Sequence, residues 1–385
     1  MEQDKRRNSK TVKIGGFAHV NTVTVGGGLP PAIQTMWKDR LSLRDLEGKA
    51  AESLVSRINA LSRLGCGILR FAVPDMETAE ALGNLASMVS MPLVADIHFD
   101  HKIALRCLDF PIAKIRINPG NIGSREKVEA VLSKAGAKGI PIRIGVNAGS
   151  LPQDLRPTPH SLLPTPHSPL PTAYSFAEAL VLAAERELAI FNEFGFTAVL
   201  VSMKASGIAD TIKANRMLAE RSDVPLHVGV TEAGPLIAGV VRNTAALAVL
   251  LGEGIGDTIR VSLSDTMENE VIAGREILAA AMSLSGGVES APAGVRIVSC
   301  PRCGRSGFDT HGFTARWQNR LYAMDRDITV AIMGCAVNGP GEARHADLGI
   351  TGAGDKVLIF RKGKIIRTID AAAADAAFEE ELNRL

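Results

Sequence analysis

The chain has 385 residues, 46% hydrophobic and 22% charged, as in ordinary soluble globular proteins, and its length suits one large domain plus a small one. Its 43 basic and 41 acidic residues leave a net charge of +2, so no global field points to nucleic acid or to a membrane. No apolar run reaches the ~18 residues of a membrane helix. The first ten residues lack the apolar core of a secretory signal, and the five cysteines favour metal or redox use in a cytoplasmic setting over disulfides.

Residues 1–10 read as a disordered tail. Thr11–Gly28 holds two short β-like runs around Gly15-Gly16 and predicts a hairpin. Eight apolar, β-branched runs then recur: Ile33–Met36, Ile68–Pro74, Pro92–Ile97, Ala113–Asn118, Pro141–Asn147, Ala198–Lys204, Pro225–Thr231 and Asp257–Leu263. Stretches with helical periodicity separate them, such as Ala50–Leu64 and Phe176–Phe194. Strand–helix alternation implies a parallel sheet, and eight repeats over roughly 250 residues is the size of a TIM (β/α)8 barrel. The fold class is therefore α/β, with the barrel over 11–284. One connection is too long: 156–172 contains PTPHSLL followed by PTPHSPL and reads as a Pro-rich surface insertion, with His160 and His167 in a solvated loop rather than as metal ligands. Residues 285–294, SGGVESAPAG, read as a linker. Residues 295–385 read as a second, α+β domain with strand-like runs at Ile328–Met333 and Lys356–Phe360.

In such a barrel the chemistry sits at the C-terminal strand ends, and side chains alternate with a period of two. Polar residues share one face on strand after strand: Asp96 and His98, Arg116 and Asn118, Arg143 and Asn147, Ser202 and Lys204, Arg260 and Ser262. Arg70 ends one strand ahead of Asp75, and Thr231-Glu232 ends another. Four arginines and a lysine at one mouth outnumber Asp75, Asp96 and Glu232. Buried cations need a partner, and a diphosphate is the simplest polyanion that would neutralise them. The alternative for any one arginine is an outward side chain or a buried salt bridge.

Three of the five cysteines fall within 300–335. Ile297–Ser299 reads as a strand delivering Cys300, and Cys303 follows at C-x-x-C spacing. Cys335 opens the segment CAVNGPGE, whose Gly/Pro turn can aim Glu342 at the same point. Three thiolates fall one short of a structural zinc site or an all-cysteine cluster. For C-x-x-C alone, zinc or a redox disulfide is a rival; the third cysteine favours an iron–sulfur cluster. A carboxylate is a hard, exchangeable ligand on iron. Cys66 and Cys107 read as small core residues. His311 and His345 are surface residues or acid/base groups near the cluster.

FAVPDM, VADIHFD, KIRINPGNIGS, PIRIGVNAGSL, VSMKAS, HVGVTEAG, LLGEGIGDTIRVSL, SCPRCGR and MGCAVNGPGEARHADLGI together resemble the 4-hydroxy-3-methylbut-2-enyl diphosphate synthases in their short bacterial form, from about Thr11 to Phe360. The resemblance implies an iron–sulfur oxidoreductase of the non-mevalonate isoprenoid pathway that reductively opens 2-C-methyl-D-erythritol 2,4-cyclodiphosphate with loss of water. It implies a sulfite-reductase-like C-terminal domain whose [4Fe–4S] cluster is held by Cys300, Cys303, Cys335 and Glu342, a head-to-tail homodimer, and flavodoxin or ferredoxin as electron donor. On this reading Arg70, Asp96, His98, Arg116, Asn118, Arg143, Asn147, Lys204, Arg260 and Ser262 bind substrate, and Glu232 and Glu342 are catalytic. The chain departs from the family at Trp37–Arg40, where a Thr/Asp-rich run is usual, at the Pro-rich insertion, and at Arg242-Asn243, where a lysine–serine pair is common. The rival reading is a redox-inert barrel transferase acting on a diphosphate ester, with a structural zinc site; a rival of another class is a non-catalytic metal-binding or scaffold module.

Overall fold

A computed structural model of the chain describes residues 6–147, 149, 151–156, 174–284 and 294–385. The Pro-rich insertion beyond Arg156 and the linker before Gly294 lie outside the described residues. The chain divides into two compact units, Met1–Ala291 and Pro292–Leu385. No described helix is long and apolar enough to cross a membrane.

The first unit opens with the expected hairpin, β1 (Val12–Gly15) and β2 (Thr22–Val25), paired antiparallel with Val12 opposite Val25. Its buried face (Val12, Ile14, Val20 and Val25) packs on Ile68, Val94, Ala113 and Leu200, at or near the starts of barrel strands. The hairpin therefore plugs the end of the barrel opposite the C-terminal strand ends. Residues 6–10 are not a disordered tail: Ser9 Oγ donates to Asp257 at 2.6 Å, Arg7 Nη1 to Val224 O at 3.0 Å and Lys10 N to Asp223 O at 2.7 Å. The polar composition suggested disorder, but barrel carbonyls and a carboxylate supply partners that only the folded chain presents.

Eight parallel strands follow: β3 (Ala32–Met36), β4 (Ile68–Ala72), β5 (Leu93–Asp96), β6 (Lys114–Ile117), β7 (Ile142–Asn147), β8 (Val199–Lys204), β9 (His227–Val228) and β10 (Thr258–Ile259). Each matches an expected run, though the last two are only two residues long. The ladder runs β8-β7-β6-β5-β4-β3-β10-β9, and a parallel bridge between Val201 and Leu226 brings β8 to β9 and closes the barrel. Between the strands lie α1 (Gly48–Arg63), α2 (Met76–Ala86), α3 (His101–Cys107), the single turn α4 (Pro119–Ile122), α5 (Arg125–Ala137), α6 (Phe176–Glu193), α7 (Ile208–Arg221) and α8 (Leu236–Gly252), and α9 (Met267–Leu284) follows β10. Local chemistry starts several of them. Asp75 caps α2 by accepting from Thr78 N at 2.8 Å, and Ser175 with Glu178 forms a capping box on α6. Asp75 also pairs with Arg40 at 2.8 Å, so it is not one of the carboxylates at the mouth.

The second unit holds one five-stranded sheet: β11 (Arg296–Ser299), β12 (Thr329–Met333) and β13 (Leu348–Ala353) run parallel, and β14 (Lys356–Arg361) and β15 (Lys364–Asp370) continue antiparallel. Two helices, α10 (Thr310–Tyr322) and α11 (Ala374–Asn383), cover it. Phe313 and Trp317 of α10 meet Phe378 of α11 edge-on, with centroids 5.2 and 4.9 Å apart, over Val330, Ile332, Ile350 and Ile359.

Candidate active site

The C-terminal strand ends of the barrel enclose a polar cavity lined by Arg70, Asp96, His98, Arg116, Arg143, Gly145, Val146, Asn147, Ser202, Lys204, Thr231, Arg260 and Ser262. Nine of the ten residues expected to bind substrate are among them, brought from five strands and from the segments after β5 and β10. Asn118 is the exception. Its Oδ1 accepts from Gly120 N at 3.1 Å and caps α4, because the chain turns into a helix immediately after β6. Glu232 is exposed, lies outside the lining and has a left-handed backbone (φ 52°).

Asp96 organises the cationic wall. Its Oδ1 accepts from Arg116 Nη1 at 3.1 Å, and Arg70 Nε lies 3.5 Å from its Oδ2. Burial pushes its carboxyl up, but Arg70, a hydrogen bond with His98, Arg116 and Arg143 more than offset this and hold it well below the usual carboxylate range. His98 Nε2 sits 2.8 Å from Arg116 Nη1 and 3.5 Å from Asp96 Oδ1, between the two charged partners. Arg116 also donates to Gly145 O at 3.3 Å, and a Cβ at Gly145 would stand 2.3 Å from Arg116 Nε, so a larger residue there would displace the guanidinium.

A second carboxylate, unforeseen from the sequence, stands behind Arg260. Glu270 of α9 is buried, with Arg260 Nη2 3.4 Å from its Oε1; it also accepts from Thr35 Oγ1 at 2.5 Å, Lys38 Nζ at 2.9 Å and Leu263 N at 3.0 Å. Lys38, within the run that departs from the family, thereby acts as a brace. So does Asn243, which accepts from Val230 N and donates to Gly239 O. An acidic residue in a helical first turn reads as solvent-facing, and only the packing of α9 on β3 turns Glu270 inward.

Two carboxylates do not neutralise this wall. Arg143 is fully buried, and its Nε, like those of Arg70 and Arg116, has no hydrogen-bond partner among the described residues. Burial lowers Arg143 and Lys204 well below their ordinary values, and neighbouring arginines lower them further. Burial also draws Arg70 down to about 10, against the pull of Asp96. One layer deeper, buried Lys114 donates to Gln34 Oε1 at 3.1 Å, and burial and Arg143 lower it too. Lys114 shares the period-two register of Arg116, a signal that could have found it. Cations held this far from water with unfilled donors are preorganised for an anionic ligand.

Behind α4, Glu187 accepts from Gly120 N at 3.1 Å, while its other oxygen is buried without a partner among the described residues. Burial pushes its carboxyl from the usual 4.5 up to about 7. A raised carboxyl favours the fold below the unfolded value and loses that contribution as pH rises through about 7. Glu187→Gln is therefore expected to melt above the parent at alkaline pH and together with it in acid. Equal melting temperatures at both would show that the carboxyl ionises freely.

In the second unit, β11 leads directly into Cys300, whose N–H donates to Ile332 O at 3.0 Å, and Gly307 N donates to Gly334 O at 2.9 Å. The C-x-x-C turn is thus tied to the residue before Cys335. A π-helical turn over Val337–Glu342 folds the chain back: Cys335 Sγ donates to Asn338 Oδ1 at 3.3 Å, and Asn338 Nδ2 donates to Glu342 Oε2 at 2.5 Å. Backbone N–H groups of Asn338 and Val337, with Arg305, hold the Cys335 thiol below its ordinary value. Among the described residues no three His, Cys, Asp or Glu side chains converge as ligands of a single metal ion. A multi-iron cluster makes a different demand, one ligand per iron, and three thiols with a carboxylate on adjoining turns suit it chemically. Cys66 and Cys107 are buried and burial pushes both thiols up to about 12, so they are inert core groups. His311 and His345 are exposed.

Residues 16–275 match the GcpE TIM-barrel domain, and residues 296–384 match the GcpE protein C-terminal domain. Three curated relatives bear the name 4-hydroxy-3-methylbut-2-en-1-yl diphosphate synthase (flavodoxin). That of Treponema pallidum is 51% identical over 98% of this chain and 92% of its own, and that of Treponema denticola is 51% identical over 98% of both. That of Geobacter sulfurreducens is 43% identical over 94% of this chain and 95% of its own. The barrel, the cysteine-bearing unit and this near full-length identity together make the chain a member of the GcpE family.

Proposed function

We propose that the protein reductively opens 2-C-methyl-D-erythritol 2,4-cyclodiphosphate to 4-hydroxy-3-methylbut-2-enyl diphosphate in the non-mevalonate isoprenoid pathway, as its relatives' names support. In the balanced reaction the ring C–O bond breaks, a hydroxyl leaves as water, a C=C bond forms, and two electrons and two protons are taken up. The observation that carries the reading is the barrel mouth, where buried guanidinium nitrogens lack hydrogen-bond partners among the described residues and five cations face one lining carboxylate. The diphosphate fills these donors through charge-assisted bonds from Arg70, Arg116, Arg143, Lys204 and Arg260, with Asn147 and Ser262 completing the site. Asp96 orients Arg70 and Arg116, and His98 steadies Arg116. Glu232, exposed just beyond β9, is the proposed acid/base group near the leaving oxygen.

Cys300, Cys303, Cys335 and Glu342 are the proposed ligands of a [4Fe–4S] cluster, which when bound supplies single electrons. Flavodoxin, named in the relatives, is the proposed donor, with ferredoxin as the alternative; a cytoplasmic homodimer completes the reading. Nothing among the relatives supports a redox-inert transferase. Metal analysis of anaerobically purified protein tests the proposal: about four irons and four sulfides per chain are expected, and one zinc without sulfide would overturn it.

Asn338 grips the Glu342 carboxylate, so Glu342 is replaceable while three thiolates remain. Losing one ligand of four leaves Cys300, Cys303 and Cys335 to hold the cluster, so Glu342→Ala is expected to retain iron under anaerobic conditions and lose most turnover. Glu342→Cys is expected to keep iron and also turn over poorly, because a thiolate exchanges less readily. A fully active Glu342→Cys enzyme would exclude Glu342 as an exchangeable ligand.

A further inference from the structure

Lys114 is the one interior cation that does not line the anion cavity. It lies on β6 two residues before Arg116 and is fully buried. Its Nζ donates to Gln34 Oε1 at 3.1 Å. Gln34 belongs to β3, which is not a neighbour of β6 in the ladder, so this bond crosses the barrel interior. Below it the hairpin core closes the barrel with Ile14, Ile68, Val94 and Leu200. Gln34 Nε2 is buried without a hydrogen-bond partner among the described residues, and so is His227 Nε2, whose ring is held by Thr258 Oγ1 2.7 Å from Nδ1. No carboxylate pairs with Lys114 among the described residues. The charged groups that act on it are Arg143 of β7 and Arg70 of β4, and His227 of β9 in turn feels Lys114.

With the mouth empty this interior holds more positive charge than it can neutralise. Arg70, Arg116, Arg143, Lys204, Arg260 and Lys114 face two carboxylates, Asp96 and Glu270, and Glu270 is shared with Lys38. An arginine keeps its proton in a protein, whereas a buried lysine gives its proton up readily, so the excess is relieved at a lysine. Lys204 has Glu270 near enough to favour its charge; Lys114 has only a neutral amide. Burial, then Arg143 and Arg70, accordingly set Lys114 well below its ordinary value. We propose that Lys114 is uncharged while the mouth is empty and takes up one proton from solvent when a dianion binds above it. The inference rests on the reading of the mouth as a diphosphate site. Each phosphorus of a cyclic diphosphate carries a single, strongly acidic hydroxyl, so the ligand stays a dianion around neutrality and brings no proton of its own. The bound anion makes Lys114 hold its proton more tightly than the empty site does. Affinity is therefore greatest in acid, falls by about tenfold per pH unit through the window between the two values, and is level above it.

The test titrates anaerobically purified, full-length holoprotein, without reductant, with the cyclic diphosphate and separately with sulfate, a permanent dianion. Binding heats in two buffers of different ionisation enthalpy count the protons taken up. The parent is expected to take up about one proton per anion bound. Lys114→Met keeps the length without the charge, and Lys114→Arg keeps the charge at every working pH. Each is expected to lose that uptake and to bind anion with a flatter pH dependence. Unchanged uptake in the variants places the proton on His227 or Lys204 and overturns the proposal. Absence of uptake by the parent overturns it without any variant. If the parent ignores the cyclic diphosphate yet takes up a proton with sulfate, the substrate reading fails and the proton linkage is retained.

Discussion

Cys335→Ser is expected to yield a folded protein with almost no iron, almost no acid-labile sulfide and no turnover; Cys300→Ser and Cys303→Ser are expected to do the same. The effect is this large because no spare soft ligand exists. Cys66 and Cys107 lie in the barrel unit with thiols pushed up to about 12, so neither is available as a thiolate. A serine hydroxyl ionises far less readily than a thiol and is a hard donor where iron in a sulfide cluster prefers a soft one. The fold is expected to survive because the second unit's main core, built on Phe313, Trp317, Phe378 and the sheet, contains no cysteine. Iron and sulfide analysis with circular dichroism checks both halves. A serine variant that retains full iron and turnover would remove that cysteine from the ligand set.

Arg143→Met is expected to raise thermal stability and to abolish useful substrate affinity. Arg143 is buried with an unfilled Nε and no described ion-pair partner, so in the ligand-free protein it is a cost. Replacing buried charged groups by apolar side chains of similar volume is often neutral or stabilising by about 1–4 kcal/mol, and a gain within that range is expected here. With substrate present the sign reverses. Each charge-assisted bond contributes about 1.5–3 kcal/mol, so two lost bonds weaken binding by about 10²–10⁴-fold. Arg116→Met should bind poorly as well but lose stability, because it strips the buried Asp96 of its partner at 3.1 Å. Thermal melts and substrate titrations of the two variants decide the matter. Unchanged affinity in Arg143→Met would move the anion site elsewhere.

The opposite stabilities expected at Arg143 and Arg116 show where sequence reading stops. Both sit on strands with the same alternation, and period two placed both at the mouth. Which of them has a carboxylate within reach depends on Asp96 lying on the adjacent strand in register with Arg116, a contact between strands that no local pattern encodes. Asn118 obeyed the same alternation and still left the cavity, because α4 begins at once and recruits it as a cap. Glu270 is the converse, a carboxylate hidden in an ordinary helical turn that packing aims at Arg260.

By itself the sequence determined the eight strand–helix repeats, the hairpin before them, the second unit and its three ligand-type cysteines. These follow from side-chain period, turn residues and spacing, which act over a few residues and are legible locally. Tertiary structure alone decided that residues 6–10 bind the barrel, that Asp96 and Glu270 each serve particular arginines, and that Arg143 is left with an unfilled nitrogen. Those outcomes depend on which groups meet across strands far apart in the chain, and on how much water the closed barrel excludes from them.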